Sequence, residues 1–468
     1  MKKLIIILVI LSNIMFPISA YASEESFNHS KEFPLVFLFI VILLFFGRIG
    51  ASLVERFHQS SVLGELLMGI LLAALALFPC LHGINNLSHN PLLVGIAEIG
   101  VLLLLFKTGI ETNLHEMKRV GIRSLIVAIV GVILPFIGGY FFARMLMPDI
   151  DRNICLFLGA TLTATSVGIS TRIFKDFNIL KTIEAKIVLG AAVIDDVLGL
   201  LILAIVSGIV SAGHVEIITV VALGTKAFIF LAGSLFLGNL FATRLGAWTA
   251  RINPGVDMKM ALALVFCGVF SYTASSLAGL APIIGAFAAG LILDPIHFKQ
   301  FDPPYLATRL RIWTNQLRVD GQTSVNTINE MDARAYRKEQ MHVETLIESI
   351  SNFFVPIFFV YTGLQVNLSA FSDIRTIGIA LVITAIAVAG KLACGYAAGK
   401  SVDRKLIGFG MVPRGEVGLI FLNVGKKMGV VNSQIFAIGV IMVILTTLGT
   451  PIILNMIISK RNASEALT

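Results

Sequence analysis

The stretch Ala191-Ala192-Val193-Ile194-Asp195-Asp196-Val197-Leu198-Gly199-Leu200 puts two adjacent carboxylates inside an otherwise apolar run. That run extends over residues 184–212, enough as a helix to cross a hydrocarbon core of ~30 Å. Lys186 marks one end, and Asp195 follows nine residues later, which is roughly 14 Å into the bilayer at 1.5 Å per residue. Each charge at that depth costs roughly 2.5–3.5 kcal/mol on insertion scales. Two such groups cannot form a solvated face. They read as a site for ions or protons, with a structural hydrogen-bonded pair as the alternative.

A third deep charge matches them. Lys391, in Ala387-Val388-Ala389-Gly390-Lys391-Leu392, lies nine residues before Lys400 at the end of its own apolar run, again roughly 14 Å deep. Pairing it with an aspartate is the least costly arrangement for both groups. The other reading is a lysine that snorkels to the interface.

Two further runs look interrupted. One reads Gly159-Ala160-Thr161-Leu162-Thr163-Ala164-Thr165-Ser166-Val167-Gly168, the other Gly410-Met411-Val412-Pro413-Arg414-Gly415-Glu416-Val417-Gly418. Hydroxyls between glycines offer oxygen ligands, and Pro413 cannot continue a helix. Ordinary helix packing explains hydroxyls in the first run alone. Paired broken helices in oppositely oriented halves point instead to a transport site near the midplane. Arg414 and Glu416 can neutralise the helix ends exposed at such a break. Glu65, Glu98, Arg48, Asp294, Lys226 and Glu184 stand singly in or near spans and read as interface or packing charges.

The rest of the chain agrees with a membrane setting. Of 468 residues, 56% are hydrophobic and only 14% are charged, against roughly 25% charged in soluble domains. Disorder, collagen and a disulfide scaffold are excluded on the same grounds. Apolar runs at 34–56, 61–79, 92–110, 120–146, 152–173, 184–212, 216–243, 257–278, 281–296, 347–367, 375–400, 405–427 and 433–458 predict an all-α polytopic membrane protein of about 13 transmembrane helices. With the N-terminus outside, the cytoplasmic loops and C-terminus hold 24 basic residues and the opposite side six, the bias expected of that orientation. The net charge of +8 is thereby assigned to membrane topology and not to nucleic acid.

Residues 1–22 have a basic start, an apolar core from Leu4 to Ile18 and the small-x-small site Ala20-Tyr21-Ala22. This is the layout of a signal peptide, leaving 23–468 as the membrane domain; an uncleaved anchor is the alternative. Residues 297–346 form a polar cytoplasmic insert with Pro303-Pro304, read as a connector or as a partner-binding segment. Cys80, Cys155, Cys267 and Cys394 have no metal-ligand spacing and read as buried thiols. A Cys80–Cys155 bridge at the outer face is the other option. No cofactor is expected.

With these motifs in place, the sequence resembles the bacterial monovalent cation:proton antiporters of the NapA/KefC-like branch. The resemblance rests on residues 192–200, 163–168, 282–290 (Pro-Ile-Ile-Gly-Ala-Phe-Ala-Ala-Gly) and 413–418, and spans nearly the whole chain. It implies an NhaA-like antiporter fold, with a dimerisation domain and a six-helix core. It further implies inverted repeats over spans 2–6 and 9–13 in which discontinuous helices 5 and 12 cross, and a homodimer in the bacterial inner membrane. The insert 297–346 is longer than the link usual at that point of the family.

The expected chemistry is competition. Asp196 takes a proton or a dehydrated cation (Na+, or Li+ or K+), with oxygen help from Asp195, Thr165 and Ser166. Lys391 couples to Asp195, while Thr163, Pro413, Arg414 and Glu416 shape the crossover. The resemblance implies electrogenic exchange of two protons per sodium ion. Potassium/proton exchange or potassium efflux is the alternative. A channel needs a continuous polar path that the sequence lacks, and an organic-anion/sodium symporter fits poorly with charges packed this closely. An enzyme is not expected, because no nucleophile–base or ligand cluster appears.

Overall fold

The structure is a computed structural model that describes residues 29–57, 59–76, 90–111, 121–177, 179–180, 182–212, 217–293, 301–320, 327, 330–334, 342–366, 368 and 373–465. The expected signal peptide, Cys80 and Asp294 lie outside them. Among the described residues every regular element is a helix. Eight helices are long and apolar enough to cross a membrane: α1 (His29–Glu55, within which the span is Phe33–Glu55), α3 (Pro91–Glu111), α4 (Gly121–Leu146), α7 (Ile183–Ala212, span to Ser211), α9 (Val256–Ser276), α12 (His342–Leu364), α13 (Ile374–Ala397) and α16 (Ser433–Glu465, span to Ile458). Two shorter apolar helices, α2 (Ser61–Leu75) and α10 (Pro282–Ile292), accompany them. The helix α8 runs Ile217–Ile252.

Both interruptions expected from the sequence are present. The fifth run divides into α5 (Arg152–Thr161) and α6 (Val167–Asp176), and the twelfth into α14 (Arg404–Gly410) and α15 (Glu416–Lys427). Each pair opens on an aspartate N-cap. The Asp151 carboxylate accepts from Asn153 N at 2.7 Å, and Asp403 accepts from Lys405 N and Leu406 N at 3.0 and 3.1 Å. Such caps satisfy amides that the first turn leaves without partners. Just past the end of α15, Gly429 has a φ of +72° and turns the chain where a side chain would be strained.

The residues fall into two compact units. The first comprises Met1–Gly100, His115–Val221 and Val355–Thr468; the second comprises Val101–Leu114 and Ala222–Phe354. Within the first, α4, α5, α7, α13, α14, α15 and α16 pack on one another, with α6 against α7 and α16. Val127, Phe174, Val188, Ala191, Ala192, Ile407 and Leu454 fill a shared core there. In the same unit α1 and α2 pack with the end of α12, and glycines permit backbone contact. A Cβ on Gly69 would stand 2.1 Å from Val360 O, and one on Gly363 2.3 Å from Leu66 O. Small residues bring helices this close where hydrocarbon provides little drive for association. In the second unit α8, α9 and α10 share a core with Phe106, Phe301, Val343 and Ile347. Large apolar side chains such as Phe45, Phe141, Phe228 and Phe236 are more than 60% exposed, as suits a surface that faces lipid.

The insert departs from a bare polar loop. It contains α11 (Tyr305–Asp320), and α12 begins at His342, inside the segment read as loop. The polar start of α12 (His342, Glu344, Glu348) hid its first turns from a hydropathy reading.

Candidate functional site

Asp195 and Asp196 sit near the middle of α7, and Lys391 in the last third of α13. The helices are brought together through α4, which packs on both. Lys391 Nζ donates to Asp195 Oδ2 at 2.9 Å, and both side chains are fully buried. The sequence-predicted pair is therefore formed. Gly131 of α4 faces Lys391, since a Cβ there would lie 3.5 Å from Nζ. Asp195 Oδ1 and Asp196 Oδ1 are buried without a hydrogen-bond partner among the described residues. Orphan acceptors of this kind are rare, and each calls for an explanation such as a bound ion or proton. The charged groups acting on Asp196 are Asp195, Glu416 and Lys391.

The two broken helices meet beside this pair. Ser166 N donates to Pro413 O at 2.8 Å, Thr165 Oγ1 to Met411 O at 3.2 Å, and Ser166 Oγ to Glu416 Oε2 at 3.3 Å. Four helix ends converge, and their partial charges sort by type. The carbonyl ends of α5 and α14 are covered by Arg414, which is fully buried. Its Nη1 donates to Met411 O and Val412 O, and its Nη2 to Leu162 O and Ala387 O, at 2.8–3.3 Å. A guanidinium is suited to this because its several donors are fixed in one plane. Glu416 occupies the first turn of α15, where a negative charge suits the amide end of a helix.

A match to the transmembrane sodium/hydrogen exchanger model covers residues 6–303 and 331–460. The chain belongs to the sodium/hydrogen exchanger family. Within the wider group it is 31% identical to the high-affinity Na(+)/H(+) antiporter NhaS3 of Synechocystis sp., over 92% of this chain and 91% of that protein. It is 32% identical to the Na(+)/H(+)-K(+) antiporter GerN of Bacillus cereus, over 89% and 94%. Among solved structures it resembles the sodium proton antiporter MjNhaP1 of Methanocaldococcus jannaschii, with a TM-score of 0.61 at 16% identity, covering 90% of this chain and 96% of that one. That likeness is one of fold.

In this exchanger the residues singled out from the sequence do not all stand alike. Asp195, Asp196 and Lys391 form one buried group. Thr165, Ser166, Pro413, Arg414 and Glu416 form the crossing. The Thr163 hydroxyl turns back onto Ala160 O at 2.7 Å. Thr165 and Ser166 spend their protons on the crossing, yet a hydroxyl that donates keeps its lone pairs for a cation. Two members were missed. Ser170 Oγ donates to Gly410 O at 2.6 Å, and Thr447 Oγ1 to Arg414 O at 2.5 Å. Ser170 is one turn beyond Ser166 and continues the hydroxyl run, whereas nothing in the sequence marks Thr447.

The isolated charges are mostly paired. Glu65 is buried and meets the exposed Arg48 at 3.9 Å, Glu98 meets Lys427 at 2.6 Å, and Glu184 accepts from Asp403 N at 3.3 Å. These contacts agree with packing roles. Cys155, Cys267 and Cys394 are free, buried thiols.

Proposed function

We propose that this chain is a secondary antiporter that exchanges monovalent cations, sodium first, for protons across the bacterial inner membrane by alternating access. The observation that carries the reading is the buried Lys391–Asp195 pair with an unpartnered Asp196 oxygen beside it. A cation arriving at Asp196 draws on oxygens of Asp195, Thr165 and Ser166. Asp195 can serve it only by loosening its hold on Lys391, which then gives up its proton. Cation and proton thus compete for one group of charges, and that competition is exchange. If Lys391 carries a proton in addition to the one displaced from Asp196, two protons move per cation and the cycle is electrogenic.

The same reading places thirteen spans in the bilayer, the broken pairs each counting as one, with α2, α8 and α10 completing the set. It relates α2, α3, α4, α5–α6 and α7 to α10, α12, α13, α14–α15 and α16 as inverted repeats. Support comes from the matching order of long, broken and long helices and from the aspartate cap that opens each broken pair. The basic residues set the N-terminus outside and the C-terminus in the cytoplasm. The working unit is a homodimer. Potassium is the second ion to try, since GerN is named for sodium, protons and potassium together.

The test is reconstitution into liposomes with a trapped pH dye, offering Na+, Li+ and K+ in turn with and without an imposed voltage. Cation-driven proton movement that saturates and responds to voltage supports the proposal. Single-channel currents, or sodium uptake that needs an organic substrate and moves no protons, refute it.

A further inference from the structure

The helices α13, α14 and α16 pack on one another and leave a cavity of about 430 Å³ between them, within the ~300–1,000 Å³ typical of ligand pockets. Its lining sorts by depth. Tyr396 belongs to the last turn of α13, and Arg404 and Lys405 to the first turn of α14. Leu392 and Phe409 lie one turn further in on the same two helices, ~6 Å deeper at 1.5 Å per residue. Ile453 and Met456 of α16 extend this apolar wall. The Arg404 guanidinium donates from Nε to Gly399 O at 2.9 Å, and its carbon stands 5.5 Å from the centre of the Tyr396 ring. Among the described residues neither Arg404 nor Lys405 forms an ion pair with a carboxylate. The neighbouring acids serve backbone amides: Asp403 accepts from Lys405 N and Leu406 N, and Glu184 from Asp403 N. Tyr396 and Met456 are 62 and 58% exposed, so the cavity opens toward the side of the helices that lipid covers.

We propose that this cavity binds one anionic phospholipid, its phosphate held by Arg404 and Lys405 and an acyl chain lying against Leu392, Phe409, Ile453 and Met456. Two cations without a counter-charge, at the mouth of an apolar groove, complement a ligand with an anionic head and a hydrocarbon tail. Basic pockets between membrane helices recognise such headgroups, and a guanidinium suits phosphate because its donors lie in one plane. A free phosphate would leave the apolar wall uncovered. A zwitterionic lipid would bring a further cation toward the two already present. The bound tail would lie beside Leu392, which follows Lys391, and beside Phe409, which precedes Gly410. The Gly410 carbonyl accepts from Ser170 at the crossing, so the lipid braces a half-helix that ends there.

The full-length protein, stripped of lipid in a neutral detergent, is titrated with phosphatidylglycerol or phosphatidylcholine, and bound molecules are counted by native mass spectrometry. One phosphatidylglycerol should bind more tightly than phosphatidylcholine, by roughly five-fold for each of the two basic residues. Lys405→Gln should remove one such factor and Arg404→Gln/Lys405→Gln both, with phosphatidylcholine binding unchanged. The Lys405 side chain is exposed, so the single variant carries the test even where the double variant misfolds. Equal affinity for the two lipids, or phosphatidylglycerol binding that the substitutions leave intact, would overturn the proposal. Excess inorganic phosphate should leave the lipid bound; displacement would mark a site for a free anion and overturn the lipid assignment. None of these readouts involves ion transport, so their failure leaves the proposed exchange untouched.

Discussion

Lys391 holds Asp195 at 2.9 Å with both groups sealed from solvent, while Asp196, one residue along α7, has an oxygen that no donor reaches among the described residues. Neighbours in sequence thus differ in their surroundings: one carboxylate is matched by an ammonium and the other is not. Asp196→Asn removes the charge and keeps the shape. It should abolish cation-driven proton movement in everted vesicles while the protein still inserts and runs as a folded species on gel filtration. Normal dequenching of a pH dye by that variant would remove Asp196 from the site.

Truncating only one member of the buried pair is expected to cost stability as well as transport. Lys391→Ala strands the Asp195 carboxylate, and an uncompensated buried charge costs about 3–5 kcal/mol. Adding Asp195→Asn should restore much of the lost thermal stability in detergent, because the stranded charge is gone. Transport by Lys391→Ala, where measurable, should lose its response to an imposed voltage. A single variant as stable as the parent, or one with voltage dependence intact, speaks against the pair as drawn.

Glu416 offers a way to separate architecture from ion handling. It accepts from Ser166 Oγ and acts on Asp196 through space. Glu416→Gln keeps an acceptor for Ser166 and deletes one negative charge near Asp196. The expected outcome is a folded exchanger with a several-fold higher apparent KM for the cation, partly recovered by Glu416→Asp. An unchanged KM across the pH range would confine Glu416 to holding the crossing.

How far the residues announce this arrangement depends on the kind of signal. Asp195, Asp196 and Lys391 are legible because hydrocarbon makes each charge expensive, and the lysine could be matched to the aspartates by depth alone. The breaks are legible from Pro413 and the clustered glycines and hydroxyls. The partners of Arg414 are not, because they are the carbonyls of Leu162, Met411, Val412 and Ala387, and a carbonyl has no letter of its own. Thr447 is silent for a related reason: a threonine in an apolar helix ordinarily bonds its own preceding turn, as Thr446 and Thr450 do here. The helix α11 was obscured by its arginines, which break any apolar run although they suit a helix well.

Glycine packing gives a prediction independent of transport chemistry. Gly69→Ala would press a methyl group against Val360 O, and Gly363→Ala against Leu66 O. Neither neighbour is a flexible side-chain tip that can move aside. Each substitution should destabilise the protein by about 1–3 kcal/mol, outweighing the ~1 kcal/mol that alanine gains over glycine in a helix. Gly378→Ala on α13 is the control, with nothing within 4 Å of the new methyl. Thermal unfolding in one detergent should lower the midpoint for the first two variants and leave the third unchanged or raised. Equal behaviour of all three would mean that α2 and α12 do not meet backbone to backbone.

Arg414→Lys tests whether the crossing needs a guanidinium or merely a positive charge. Arginine reaches four carbonyls on three segments of chain, using two nitrogens set in one plane. A lysine ammonium has three donors at a single point, fewer than the four carbonyls that Arg414 reaches. At least one carbonyl would lose its partner, at about 1–3 kcal/mol, and the carbonyl ends of α5 and α14 would face each other with weaker screening. The variant should therefore unfold well below the parent, and exchange should fall with the folded fraction. Tight coupling of the two losses marks Arg414 as the clamp of the crossing. A stable Arg414→Lys protein with altered cation affinity would instead place the guanidinium on the ion path.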